Sequence, residues 1–220
     1  MDSVENDILA SEVELALAHT PIGQRARLRT LFALDQRLAR IIGKATEPML
    51  AQMRLSWWRE MLAQDVSQRP QGDVVLDAIG MHWVGDEGAL SALVDGWEHL
   101  LADPPLPRDE AEGFASGRAA ALCAFAGIGP DTKSYARVNF AGQIWAISDL
   151  AAKVHTDEER DMLVEMGREL CDQKPEPLRS FKGLAVLGAL GRRALANGGR
   201  PLLEGRGAGL VAARAALLGK

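Results

Sequence analysis

Helix-breaking and helix-capping residues cut this chain at intervals of one helix length, and that punctuation constrains its fold most. Thr20-Pro21 and Thr46-Glu47-Pro48 each set a threonine just ahead of a proline, the order expected where a helix starts. "ADPPLP" (102–107), "GIGP" (127–130), "KPEP" (174–177) and "NGGRP" (197–201) interrupt later stretches, because proline and glycine disfavour helix interiors. "TDEE" (156–159) has the form of a capping box, with Thr156 as N-cap and Glu159 three residues on. Between the breaks, apolar residues recur with helical spacing. The expected helices are 4–18, 20–43, 46–68, 73–82, 87–101, 108–127, 131–153, 156–172, 178–196 and 207–218. Strand-like alternation does not persist, and no internal repeat is present. The reading is all-α, roughly eight to ten helices in a single domain over residues 1–220.

Composition agrees with a globular helical protein. Hydrophobic residues make up 47% of the 220, charged residues 25% and aromatics only 5%, which favours helix over sheet. No uncharged run approaches the ~20 residues of a spanning helix. The acidic start "MDSVENDILA" lacks the basic region of a signal peptide. Cys123 and Cys171 form no metal or redox motif, and a reduced, cytoplasmic setting is expected. No metal site is expected. His19, His82, His99 and His155 are scattered, and Asp95 with His99 at i, i+4 reads as a surface ion pair or a weak ligand pair.

The net charge of −5 is unevenly spread. Residues 179–220 hold eight basic side chains and one acid, Glu204, so this segment is +7 and residues 1–178 carry −12. A basic segment of this kind meets an anionic partner, a membrane surface or the chain's own acidic body. No aromatic-interleaved basic stripe is present and the body is acidic, so no nucleic-acid partner is expected.

The third helix carries "QMRLSWWREML" (52–62). On a helical wheel with Arg54 at zero, Trp57 lies about 60° to one side and Trp58 about 40° to the other. Leu50, Met53 and Met61 extend the apolar arc on one flank, and Ala51, Leu55 and Leu62 on the other, to about 200° in all. This geometry predicts a helix mostly surrounded by protein, with Arg54 pointing from the middle of its buried face. A buried guanidinium needs a carboxylate from another helix or a bound anion, and the tryptophan rings could flank it.

With these residues in view, "PIGQRARLRTLFALDQRLARIIGKATEPMLAQMRLSWWREML" (21–62) resembles the squalene/phytoene synthase family. The shared features are Arg25 after a proline, "LFAL" (31–34) and the Arg54-x3-Trp58 spacing. "LVDGWEHLL" (93–101), "FASGRAAAL" (114–122), "FAGQIWAISDLA" (140–151) and "FKGLAVLGALGRR" (181–193) are similar to later family helices in order. The resemblance implies an isoprenoid-synthase-like bundle around a central, prenyl-sized cavity between the second, third and seventh helices. It also implies that Arg25, Arg54, Trp57, Trp58, Gln143 and Trp145 line or face that cavity.

In that family, facing aspartate-rich helices hold Mg²⁺ and, through it, a diphosphate. Here the first motif falls on Ala39, Arg40, Ile41, Ile42 and Gly43, with Asp35 a turn earlier. In the second, Asp149 takes the asparagine position, Ala152 and Lys153 replace an Arg-Asp pair, and Asp157 reaches the last position. The resemblance is closer to a degenerate branch of the fold that includes a mitochondrial complex I assembly factor. It implies a bacterial or mitochondrial-lineage protein without the metal chemistry. The expected role is a non-catalytic lipid-binding or assembly factor with no cofactor, cytoplasmic or peripheral to the inner membrane. The alternative is an active prenyltransferase using Asp35, Asp149 and Asp157 with Mg²⁺.

Overall fold

The computed structural model describes residues 9–45, 47–173 and 176–219. Among them are ten α-helices and no strand. They are α1 (Ser11–Ala18), α2 (Ile22–Gly43), α3 (Pro48–Ala63), α4 (Val74–His82), α5 (Ser91–Glu98), α6 (Arg108–Ala126), α7 (Lys133–Ala151), α8 (Asp157–Asp172), α9 (Lys182–Ala196) and α10 (Ala208–Leu218). Val4 and Ile8, expected to open the first helix, and the Thr46 cap lie outside the described residues.

The punctuation works largely as local chemistry demands. The Thr156 side chain accepts from the Glu159 amide at 3.2 Å, and its hydroxyl donates to Glu159 Oε2 at 2.8 Å. Thr132 caps α7 by accepting from the Tyr135 amide, so α7 starts two residues later than Asp131 suggested. Thr20 departs from expectation. Pro21 is the N-cap of α2, and the buried Thr20 hydroxyl donates backwards to Ala16 O at 2.9 Å. The helix expected over 46–68 ends at Ala63, and Arg69 closes it by donating to the Gln64 and Leu62 carbonyls. The stretch 87–101 is α5 flanked by two 3-10 turns, Glu87–Leu90 and His99–Leu101.

The bundle is built around α7, which packs on α6, α8 and α9, while α6 also receives α5 and α2. All but a few side chains of α9 and the second half of α7 are buried. At the α5–α6 crossing, Gly96 and Gly117 meet backbone to backbone. A Cβ on Gly117 would lie 2.5 Å from the Gly96 Cα and 2.4 Å from the Ala92 carbonyl oxygen. No side chain fits there, so the pair of glycines sets the approach. That contact brings the next residue, Arg118, into the core beside Trp97.

α3 lies at the edge, against α5 and α2. Its buried side chains are Ala51, Leu55, Trp58, Met61 and Leu62, one stripe at i, i+4, i+7, i+10 and i+11. The opposite side leaves Met49, Leu50, Met53 and Trp57 exposed to 71%, 47%, 63% and 38%. This corrects the expectation of a helix mostly surrounded by protein. The wheel counted every apolar side chain as buried, but the fold supplies neighbours on one side only.

Candidate functional site at the centre of the bundle

Four helices converge on Arg118. This residue of α6 is 2% exposed and sits on the helix's own buried stripe with Ala111, Phe114, Ala115, Leu122 and Phe125. Its Nε donates to Asp35 Oδ1 at 3.0 Å and its Nη2 to Asp35 Oδ2 at 2.6 Å. Its Nη1 donates to Asp149 Oδ2 at 2.9 Å. Asp35 comes from α2 and Asp149 from α7, and both are buried. Trp97 of α5 adds its indole N–H to Asp35 Oδ1 at 2.8 Å. Lys153, just past α7, reaches both Asp149 oxygens at 2.8 and 2.9 Å with a side chain that is 62% exposed.

Aromatic rings enclose the cation. The guanidinium carbon lies 3.6 Å from the Trp145 ring centroid, 5.1 Å from Phe114 and 5.5 Å from Trp97. Phe32 and Trp145 meet in an edge-to-face arrangement, with centroids 5.4 Å apart. The negative ring faces favour a cation and are worth most where water is excluded. Burial alone would lower the Arg118 pKa, but Asp35 and Asp149 outweigh it and raise it. Burial likewise pushes the Asp149 carboxyl up, yet Arg118 and Lys153 together hold it below the usual carboxylate range. Arg118 and Asp149 are therefore held in their charged forms, and the network sets two acidic side chains, Asp35 and Asp149, against two basic ones, Arg118 and Lys153.

This balance decides what the site can do. A Mg²⁺–diphosphate centre needs several carboxylate oxygens free to reach the metal at ~2.1 Å and excess negative charge to hold it. Here three oxygens of Asp35 and Asp149 already accept hydrogen bonds and the fourth, Asp149 Oδ1, is ion-paired with Lys153, so their charge is met by residues of the chain. Asp157 does not join them. It opens α8 with a side chain 93% exposed, paired to Arg160 at 2.5 Å. The residues do not fit the metal. The third carboxylate expected for a prenyltransferase centre stands in solvent, and the two that do converge close on Arg118.

The other expected cavity residues scatter. Arg25 is exposed and closes α1, donating to the Thr20 and Ala18 carbonyls at 2.7 and 3.0 Å. Arg54 is exposed, contrary to the wheel, so it needs no buried counter-ion. Trp57 and Trp58 contact each other edge to face at 5.2 Å, but only Trp58 is buried. Gln143 donates to Asn139 at 3.0 Å and borders a separate cleft of about 260 Å³ with Arg108, Glu112, Met166 and Glu169. Trp145 alone reaches the central site, where it is buried in contact with both Phe32 and Arg118 rather than lining an open space.

Asp95 and His99 are also separated. Asp95 pairs with Arg59 at 2.5 Å, and His99 with Glu110 at 2.6 Å. Among the described residues no group of three or more His, Cys, Asp or Glu side chains is placed to hold a metal ion. Burial pushes the Cys123 thiol up to about 11, which leaves it a poor nucleophile. No helix among the described residues is long and apolar enough to cross a membrane.

Arg118 is not among the residues that the sequence marks as a site, although it lies in "FASGRAAAL". The available signal was a lone arginine on the i, i+3, i+4, i+7 stripe of an alanine-rich helix. Comparison of this chain with protein-family models, with curated proteins and with solved structures finds no match.

Proposed function

We propose that this chain is a non-catalytic relative of the squalene/phytoene synthases that works as an assembly or lipid-binding factor, through its surfaces rather than through a metal centre. The supporting observation is the Arg118 guanidinium held between Asp35 and Asp149. It stands where the two helices expected to carry the aspartate motifs meet, and it satisfies their remaining carboxylates internally. The family reading rests on residues 21–62 and on the order of the later helices.

Such a protein retains the helical frame and has no route for a diphosphate to leave on Mg²⁺. Its exposed apolar faces are then its working parts, the Met49, Met53 and Trp57 side of α3 among them. The test is incubation of the purified protein with Mg²⁺ and farnesyl or geranylgeranyl diphosphate, with pyrophosphate release measured against a no-protein control. No release above control is expected. Mg²⁺-dependent release that Asp149→Ala abolishes overturns the proposal.

A further inference from the structure

α10 is amphipathic the wrong way round for a helix that ends its packing at the protein surface. Its buried side chains are Ala208, Ala212, Ala215 and Ala216, turned towards α9. Its large apolar side chains point outwards: Leu210 is 79% exposed, Leu217 80% and Leu218 48%. An isolated soluble helix gains by burying leucine and exposing alanine, since the apolar area removed from water is larger for leucine. Leu210, Ala213, Arg214, Leu217 and Leu218 share an arc of about 140° along a helix about 16 Å long. Something apolar is needed to cover that arc.

The charge around the face selects the cover. Arg214 stands within the arc, Arg206 just before the helix and Arg179 at its far end, where the Leu178 amide donates to Gly219 O at 2.8 Å. All three arginines are exposed. Arg193 fixes the approach to α10 by donating to the Glu204 and Arg206 carbonyls at 2.8 and 3.3 Å. The one acid of the segment, Glu204, is paired with Arg200 at 3.1 Å. The acidic body does not cancel this patch at a distance, because charges in physiological salt are screened beyond about 8 Å.

We propose that the outward face of α10 docks on an anionic lipid surface, its leucines entering the acyl boundary and Arg179, Arg206 and Arg214 meeting headgroup phosphates. A bilayer fits better than a protein partner. The helix Ala208–Leu218 carries no Ser, Thr, Asn, Gln, Asp or Glu, so it offers none of the varied polar rim by which protein interfaces set register. A lipid surface requires only apolar depth and positive charge. The inference stands on α10 and its flanks, whether or not the chain turns over prenyl diphosphates.

The test is co-flotation of the whole protein with vesicles of phosphatidylcholine alone and of phosphatidylcholine mixed with phosphatidylglycerol. The bound fraction should be roughly tenfold higher on the mixed vesicles and should fall away at ~0.5 M NaCl. Leu210→Glu with Leu217→Glu should reduce mixed-vesicle binding roughly tenfold with an unchanged far-UV circular dichroism spectrum, since both side chains already face solvent. Arg206→Glu with Arg214→Glu should do the same, while Arg168→Glu, at an exposed arginine of α8, should not. Equal binding to both vesicle types, or wild-type binding by the leucine double variant, overturns the proposal. So does a self-association in sedimentation velocity that the leucine variant abolishes, which would make a second copy the occupant.

Discussion

Arg118 on α6 and Arg54 on α3 occupy the same kind of position in the sequence and opposite positions in the molecule. Each stands among apolar side chains with helical spacing. α6 is packed by α5, α7, α2 and α8, so its stripe has protein on nearly every side. Arg118 is sealed there with two carboxylates and three aromatic rings. α3 has neighbours on one side, and Arg54 points away from them. The physical argument that a buried arginine must find carboxylates holds for Arg118. What separates the two residues is how many faces of the helix are covered.

The comparison can be broken most directly at Arg118. Arg118→Ala should destabilise the fold by ~3–5 kcal/mol in urea unfolding, because it strands the buried Asp35 and Asp149 charges. Adding Asp35→Asn and Asp149→Asn to Arg118→Met should recover more than half of that loss, since the penalty lies in unpaired charge rather than in lost volume. A triple variant no more stable than Arg118→Ala would count against the ionic account.

The adjacent tryptophans offer the same contrast within one helix. Trp58→Ala should cost ~3–5 kcal/mol and Trp57→Ala under about 1 kcal/mol by the same measurement, because only the first leaves a cavity in the core. Comparable losses at both positions would mean that α3 is covered on both sides.

A pH series sharpens the description of the network. The folded pKa of Asp149 lies below its unfolded value of about 3.9. Its stabilising contribution is therefore complete above that value and is lost as pH falls through the lower, folded pKa. Asp149→Asn should be less stable than the parent at neutral pH by ~2 kcal/mol, with the gap closing in acid. A gap that stays constant to low pH would show that the carboxylate is not held ionised. The smallest effect belongs to Arg54→Ala, which should change stability by less than ~0.5 kcal/mol.

Much of the helical frame was legible because it is local. The Thr156–Glu159 box, the proline at the start of α3 and the glycine and proline breaks act over three or four residues, and so does the 3.6-residue period. The central network was not legible for the opposite reason. Arg118 lies 83 residues from Asp35 and 31 from Asp149, and no local rule links them. Asp35 and Asp149, candidates only for the alternative prenyltransferase site, both meet Arg118, a cation that no local pattern ties to them. Motif order groups Asp157 with them, whereas its place at the first turn of α8 turns it to solvent. Thr20 has the form of a cap because a hydroxyl precedes a proline, and the fold uses that hydroxyl on the preceding helix instead.

The sequence by itself determined that this chain would be helical, where several of its helices would start or stop, and that residues 179–220 would carry a net positive charge. Periodicity, capping and charge count are properties of neighbours along the chain. The tertiary structure decided which apolar stripes would be covered and which would stay open. It buried Arg118 between two carboxylates, left Arg54 and Trp57 in solvent, and turned the leucines of α10 outwards. Each of those outcomes depends on how many helices surround a given face, and that number is fixed only when distant segments pack.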